Sequence, residues 1–389
     1  MRHNITVLIT GVGGGGLGEQ LIKALRLSES VTYRIIGTDV TEISKGMKEA
    51  DVAEIVPFAS NPTYIPMLLK LCEKYGVQVL LPGSEPELKV IGDSQHLFRD
   101  QNIFLPINTK EVLDICFDKF KTVNFLKSNG FYYPLSVKVR STDDLNAVNF
   151  YPAVLKPSVG GSGSANIMIA QSNQELIVFG QYLLNTYKEF IIQEYVGTPE
   201  HEYTVGILST MEGDIINSIA LRRFISSGLG CKIKISNRTS REDLGSNLVI
   251  SSGISQGEVG KFDFITKECE NIAHVLGARS AINIQCRYYQ EKIYVFEINP
   301  RFSGTTSLRA MMGYNEPDIL IRKYLLNETI ENNFLFRTGH IMRGLSETII
   351  DCLKIADNSI IGAGAVVIKD TPNNSVSVGV PSKVIKFTQ

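Results

Sequence analysis

Pro152-Ala153-Val154-Leu155-Lys156-Pro157-Ser158-Val159-Gly160-Gly161-Ser162-Gly163-Ser164 is the stretch that decides the fold. An apolar strand delivers one lysine to its end. The loop that follows sets three glycines among three serines, leaving backbone N–H groups free to surround an anion. A polyphosphate suits that combination; taken alone, the segment also reads as a glycine-rich hairpin beside an ordinary lysine.

Farther along the chain, the apolar run Ala281–Tyr288 turns at Gln290-Glu291 into Lys292–Asn299. Period-2 alternation puts Glu297, Asn299 and Arg301 on one face, and a hairpin centred near Gln290 sets Gln285 opposite or diagonal to Glu297. One carboxylate and amide oxygens are what Mg²⁺ accepts when phosphates and water complete its octahedron. Arg301 then stands where charge develops on a transferred phosphate. The competing interpretation is the solvated polar face of a hairpin.

These pieces resemble the ATP-grasp superfamily, in particular the carbamoyl-phosphate synthase large-subunit-like group of stand-alone ligases. The resemblance covers residues 1 to about 345 and rests on the order of five motifs. They are Asp118-Lys119 opening a helix, Lys156 with its Gly/Ser loop, Gln193-Glu194-Tyr195-Val196, Glu202-Tyr203-Thr204-Val205, and Gln285 with Glu297-Ile298-Asn299-Pro300-Arg301. It implies an ATP-dependent carbon–nitrogen ligase that activates a carboxylate as an acyl phosphate. It further implies that Lys119, Lys156 and the loop Gly160, Gly161, Ser162, Gly163 hold the ATP phosphates, and that Glu194, Tyr195 and Val196 line the adenine pocket. Glu202 is expected on the ribose hydroxyls, and Gln285, Glu297 and Asn299 on Mg²⁺, with Mn²⁺ as an alternative ion. Arg301, Lys156 and Arg223 are the expected catalytic groups. Arg222 and Arg223 are both candidates for an acidic substrate or the acyl phosphate, or else a solvated strand end. Glu85 and Glu87 either position a substrate amine or cap the helix that begins near Pro86.

The rest of the chain fits this frame. At 389 residues it suggests two to three domains. The first ~110 residues alternate strand and helix patterns as a doubly wound α/β domain requires: Ile5–Ile9, Arg34–Thr38 and Val77–Leu81 read as strands, and Gly11–Gly16, Asp39 and Pro82–Glu87 should converge at one sheet edge. We expect a pre-ATP-grasp domain over 1–115, an α+β ATP-grasp domain over 116–350 with a lobe at about 130–196, and a tail over 351–389. That tail, with Asn358-Ser359-Ile360-Ile361-Gly362, resembles a short left-handed β-helix of hexapeptide repeats, too short for a self-sufficient stack.

With 39 basic and 40 acidic residues the net charge is −1, and neither sign forms a run long enough for nucleic acid or a membrane surface. Small carboxylate and amine substrates, an amino acid or a sugar acid, are the expected partners beside ATP, and self-association is allowed. Six scattered cysteines form no C-x-x-C pair and read as reduced thiols, and the absence of a signal-like or membrane-length run points to the cytoplasm. Gly11-Val12-Gly13-Gly14-Gly15-Gly16 with Asp39 also matches a dinucleotide fingerprint, so an NAD(P)-dependent oxidoreductase is the rival, and a non-catalytic ATP-binding module a third possibility.

Overall fold

Strand β1 (His3–Ile9) turns Ile5, Val7 and Ile9 to one side and Leu8 to the other, and both sides are buried. A strand apolar on both faces belongs inside a parallel sheet covered by helices. With β2 (Val31–Asp39), β3 (Val52–Ile55) and β4 (Val79–Leu81) it forms a parallel sheet of order β3-β2-β1-β4. The helix Leu17–Arg26 packs Leu21, Ile22 and Leu25 against Ile5, Val7 and Ile35. On the opposite face, the helices Tyr64–Tyr75 and Glu85–Asp93 pack Leu68, Leu71 and Ile91 against Leu8, Ile36 and Leu80. The expected strand over 77–81 starts late because Gly76, at φ +61°, closes the preceding helix and the Val77 N–H is spent on the Cys72 carbonyl at 2.9 Å. Strand β3, a four-residue edge of alternating half-buried and exposed residues, carries too weak an apolar signal to be read from the sequence.

The computed structural model describes residues 3–160, 166–344, 358–361, 371–378 and 383–387. Residues 1–344 form one compact unit and 345–389 a second. Within the first, Asp118 caps the helix Lys119–Ser128 by accepting from the Phe120 and Lys121 N–H groups. Then come β5 (Ser136–Val139), β6 (Ala153–Pro157), β7 (Met168–Ala170) and β8 (Phe190–Glu194), an antiparallel sheet of order β5-β8-β6-β7. Its Leu155 and Phe190 face pack against the helix Asn173–Thr186 through Leu176 and Leu183.

The larger sheet is built from β9 (Glu202–Ser209), β10 (Ile215–Arg223), β13 (Gly257–Gly260), β14 (Ala281–Tyr289), β15 (Lys292–Asn299) and β16 (Gly339–Ile341), with the short hairpin β11 (Cys231–Ser236) and β12 (Asn247–Ser251) between β10 and β13. Its order is β15-β14-β9-β10-β13-β16, antiparallel throughout. Val205, Ile207, Ile282 and Ile284 pack against Ile265, Cys269 and Ile272 of the helix Asp263–Leu276. Alternation therefore turns Glu202, Thr204, Asn283, Gln285 and Arg287 to the other face, where the site lies. None of these strands continues the first parallel sheet.

In the second unit, β17 (Ile360–Ile361) pairs parallel with β18 (Ser375–Val378), and β19 (Lys383–Phe387) runs antiparallel to β18. A β-helix stacks parallel strands coil upon coil, so β19 departs from that pattern. Cys72, Cys116, Cys231, Cys269 and Cys286 are free thiols, all but Cys231 buried, and Cys352 lies outside the described residues.

Candidate active site

Lys156 reaches the site because β6 alternates: Ala153 and Leu155 enter the core, so Val154 and Lys156 face the opposite side. There Val154 lines a cavity with Lys119, Lys156, Glu85, Arg223, Glu297, Asn299 and Arg301. The Lys156 ammonium donates to the Phe296 carbonyl at 3.3 Å and is buried. Burial, reinforced by the neighbouring charge of Lys119, pulls its pKa down to about 7. Lys119 approaches Glu297 Oε1 at 3.8 Å. Its helix start is tied to the glycine-rich loop: the Lys119 N–H donates to the Ser158 carbonyl at 3.0 Å, and Ser158 Oγ donates to Asp118 at 2.6 Å. Gly160, at φ +76°, opens the loop; Gly161, Ser162 and Gly163 lie outside the described residues.

The hairpin delivers the acidic end of the site in the expected register. Gln285 pairs directly with Glu297, and Asn283 with Asn299. Gln290 and Glu291 both take positive φ, as a two-residue turn between twisted strands demands. Burial alone would raise the Glu297 pKa, but Lys119, Lys156, Arg301 and Arg223 outweigh it and hold the carboxylate below its ordinary value. Asn299 Oδ1 accepts from Arg301 Nη2 at 3.2 Å, and the same nitrogen donates to Glu85 at 2.6 Å. An ionised carboxylate next to an amide oxygen, in a cavity otherwise rich in cations, is a donor set that fits one Mg²⁺ shared with phosphates.

Glu202 does not stand free. Its Oε1 accepts from Arg223 at 2.9 Å and its Oε2 from Arg287 Nε at 3.0 Å, with all three side chains buried. Any ribose hydroxyl there shares oxygens already engaged by two guanidiniums. Arg287, which sequence reasoning missed, also donates to the Val196 carbonyl at 3.2 Å and lies 4.5 Å over the Tyr195 ring. Its alternation partner Gln285 was the available signal, since every second residue of β14 faces the cavity. In the expected adenine segment, the Glu194 and Tyr195 N–H groups are spent on the Leu135 and Pro152 carbonyls, at 2.8 and 3.0 Å. The Val196 N–H has no partner among the described residues, which leaves it available to a purine ring nitrogen.

The two arginines at the end of β10 separate. Arg223 enters the cavity, whereas Arg222 points away and pairs with Glu258. The two glutamates of the helix Glu85–Asp93 separate likewise. Glu85 reaches Arg301, but Glu87 is buried in the N-terminal sheet domain, where it accepts from Tyr64 at 2.9 Å and Ser84 at 2.7 Å. Burial raises the Glu87 pKa despite those bonds. The stretch Ser251-Ser252-Gly253-Ile254-Ser255, also missed, supplies cavity wall through Ser251, Ser252, Gly253 and Ser255. His201 is exposed, its ring edge against Tyr288.

Two family models match parts of the chain: the PylC-like N-terminal domain over residues 7–105, and "ATP-grasp in the biosynthetic pathway with Ter operon" over residues 250–347. No curated protein matches the sequence. Among solved structures, the fold is similar to the biotin carboxylase domain of Hydrogenobacter thermophilus 2-oxoglutarate carboxylase, solved with MgADP and bicarbonate. The TM-score is 0.59 at 16% identity, covering 82% of this chain and 68% of that one. An L-amino acid ligase from Bacillus licheniformis gives 0.58 at 15%, covering 84% and 75%. The N5-carboxyaminoimidazole synthetase of Staphylococcus aureus gives 0.58 at 14%, covering 86% and 81%. With an α/β domain preceding two antiparallel sheets that line one cavity, and with these matches, the chain has the fold of ATP-grasp proteins.

Proposed function

We propose that this chain is an ATP-dependent carboxylate–amine ligase. A substrate carboxylate attacks the γ-phosphate of ATP, giving an acyl phosphate and ADP; an amine then attacks the acyl carbon, expels phosphate and loses its proton to solvent or a neighbouring base. The observation that carries this reading is the convergence of Lys119, Lys156 and Arg301 on one carboxylate, Glu297, in a single cavity.

In this scheme Lys119 and Lys156 hold the phosphates with the loop that starts at Ser158, and Val196 and Tyr195 bound the adenine. Glu202 meets the ribose, and Arg301 neutralises the phosphate in transfer. Glu297 and Asn299, with Gln285 beside them, would hold Mg²⁺, which draws charge from the phosphates when bound. Glu85 faces the same end and suits the ammonium of an incoming amine.

Within the superfamily we place the chain with the carbamoyl-phosphate synthase large-subunit-like ligases. An amino acid or a sugar acid is the substrate class we favour, with the protein acting in the cytoplasm and free to self-associate. No helix among the described residues is long and apolar enough to cross a membrane. The test is a screen of amino acids and sugar acids, paired with amines, for release of ADP and phosphate. Release that disappears in Glu297→Ala is the expected result, and release of AMP and pyrophosphate would overturn the acyl-phosphate scheme.

A further inference from the structure

Residues 103–109 carry the chain from the helix Gln95–Asp100 to the helix Lys110–Cys116, and they form one wall of a cavity of about 390 Å³ that shares no lining residue with the cavity around Glu297. That volume falls within the range of small-molecule sites, roughly 300–1,000 Å³. Phe104 in this wall stacks on Tyr324 of the helix Glu316–Leu325, with ring centroids 5.3 Å apart, and so offers a flat apolar face. The Tyr324 hydroxyl accepts from the Met211 N–H at 2.6 Å and donates to the Glu212 carboxylate. Both bonds fix the ring, and the second engages the carboxylate among the lining residues.

The cations of the lining are not matched in this way. Arg99 and Arg279 both face the cavity. Arg99 donates to the neutral Gln95 amide oxygen at 2.6 Å, and among the described residues Arg279 donates through its backbone N–H alone, to Asn108 Oδ1 at 2.8 Å. Glu111 is within electrostatic reach of Arg279 without pairing with it. Two guanidiniums against one engaged carboxylate leave the lining net positive. A guanidinium presents parallel N–H donors that match the two oxygens of a carboxylate. A bare inorganic anion would leave the stacked rings uncovered, and an uncharged hydrocarbon would leave the guanidiniums unanswered; an aromatic carboxylate answers both.

The same wall touches the active site through one side chain. Ile107 and Thr109 line the cavity, while Asn108 between them turns inward and is 1% exposed. Its Nδ2 donates to the Ala281 carbonyl at 3.0 Å and to the Pro300 carbonyl at 3.1 Å. Ser280, held at φ +58°, adds a bond from its Oγ to the Pro106 carbonyl at 2.6 Å. Asn108 therefore ties the cavity wall and the Arg279 backbone to the turn that carries Asn299 and Arg301.

We propose that this second cavity is an effector site for a small aromatic carboxylate, held by Arg279 and Arg99 over the Phe104–Tyr324 stack, and that Asn108 transmits its occupancy to the Asn299-Pro300-Arg301 turn. The binding half is independent of the ligase reading. The transmitted half rests on that reading only in requiring that the cavity around Glu297 bind Mg-ATP.

The probe is para-fluorophenylacetate, followed by fluorine NMR on the full chain. Saturable binding is expected in the wild type and in Lys156→Met, and about tenfold weaker binding in the double variant Arg99→Gln with Arg279→Gln. No saturable binding through the millimolar range overturns the site. Equal binding of the uncharged para-fluorophenethyl alcohol overturns the carboxylate class, and binding that is lost in Lys156→Met but kept in the double variant places the probe in the cavity around Glu297 and overturns the second site. Calorimetric titration of Mg-ATP with and without saturating probe should then differ in affinity by about fivefold or more, and saturating Mg-ATP should change the affinity for the probe by the same factor, since linkage is reciprocal. Equal nucleotide affinity in the two titrations overturns the effector role and leaves the site standing. Failure of the wild type to bind Mg-ATP overturns the ligase reading and the effector role together. Asn108→Ala should still bind the probe and lose the shift, and an undiminished shift overturns the route through Asn108; the reciprocity is read on the wild type, so the effector role stands or falls without that variant.

Discussion

Arg301 Nη2 and Glu85 Oε1 meet at 2.6 Å, joining the helix Glu85–Asp93 of the N-terminal domain to the end of β15. Both side chains line the cavity, so the pair is one the substrate must displace or use. A carboxylate facing a phosphate-binding cavity is costly unless a cation comes to it. Glu85→Gln should therefore raise the KM for the amine substrate by about ten- to a hundredfold, the value of one charge-assisted contact. The KM for ATP should stay within a few-fold. Initial rates of ADP release under each substrate in turn measure both, and an equal rise in the two constants would mean that Glu85 serves only to hold Arg301.

Much of this arrangement was legible in the sequence because alternation and turn chemistry are local. The positive φ of Gln290 and Glu291 and the pairing of Gln285 with Glu297 follow from a two-residue turn between two apolar runs. The convergence of Gly11, Gly13, Asp39 and Glu87 follows from the parallel sheet: a Cβ on Gly11 would stand 2.3 Å from Glu87, and one on Gly13 2.4 Å from Asp39. What stayed hidden depends on pairing between distant segments. That Arg223, not Arg222, enters the cavity is set by the register of β10 against β9 and β13, and the clamp on Glu202 needs β14 beside β9. No single segment carries that information.

Lys156 gives a pH dependence. Its pKa of about 7, below the ordinary 10.5, means that the empty protein holds it largely neutral above pH 7. The unfolded chain keeps that proton up to about 10.5, so this group makes stability rise with pH between about 7 and 10.5 and withdraws that contribution as pH falls through 7. A bound polyphosphate favours the charged form. Mg-ATP binding at pH 8 should thus take up close to one proton, and at pH 5.5 almost none from this group. Calorimetric titrations in buffers of different ionisation enthalpy read the uptake directly; an equal uptake at the two pH values in wild type, unchanged in Lys156→Met, would remove Lys156 from the phosphate site.

The Arg223–Glu202–Arg287 cluster is expected to matter for stability as well as binding. Removing the shared anion in Glu202→Ala leaves two buried guanidiniums facing each other, which costs on the order of 3–5 kcal/mol by comparison with other broken buried pairs. A clear fall in Tm and in the urea midpoint should follow. Arg222→Ala breaks only the partly exposed pair with Glu258 and should change stability by about 0–1 kcal/mol. If the two variants melt alike, the buried cluster is not the clamp described.

The choice between the ATP site and the N-terminal glycine-rich loop as the nucleotide site comes down to Asp39 and Lys156. In a dinucleotide site, the acid at the end of the second strand accepts ribose hydroxyls. Here Asp39 Oδ2 accepts from the Gly13 N–H at 2.5 Å and Oδ1 from the Val40 N–H at 2.7 Å, so the carboxylate closes its own loop. Gly13→Ala drives a methyl to 2.4 Å from that oxygen and shifts the Asp39 side chain, a disturbance confined to the N-terminal domain. Lys156→Ala removes a charge-assisted phosphate contact worth about 1.5–3 kcal/mol, or about ten- to a hundredfold in affinity. Titration of Mg-ATP and of NAD(P)H into the wild type and both variants should give ATP binding that Lys156→Ala weakens and Gly13→Ala spares. Tight NAD(P)H binding lost in Gly13→Ala, with no Mg-ATP binding in the wild type, would restore the oxidoreductase reading, because then the cluster around Glu297 would have no nucleotide to hold.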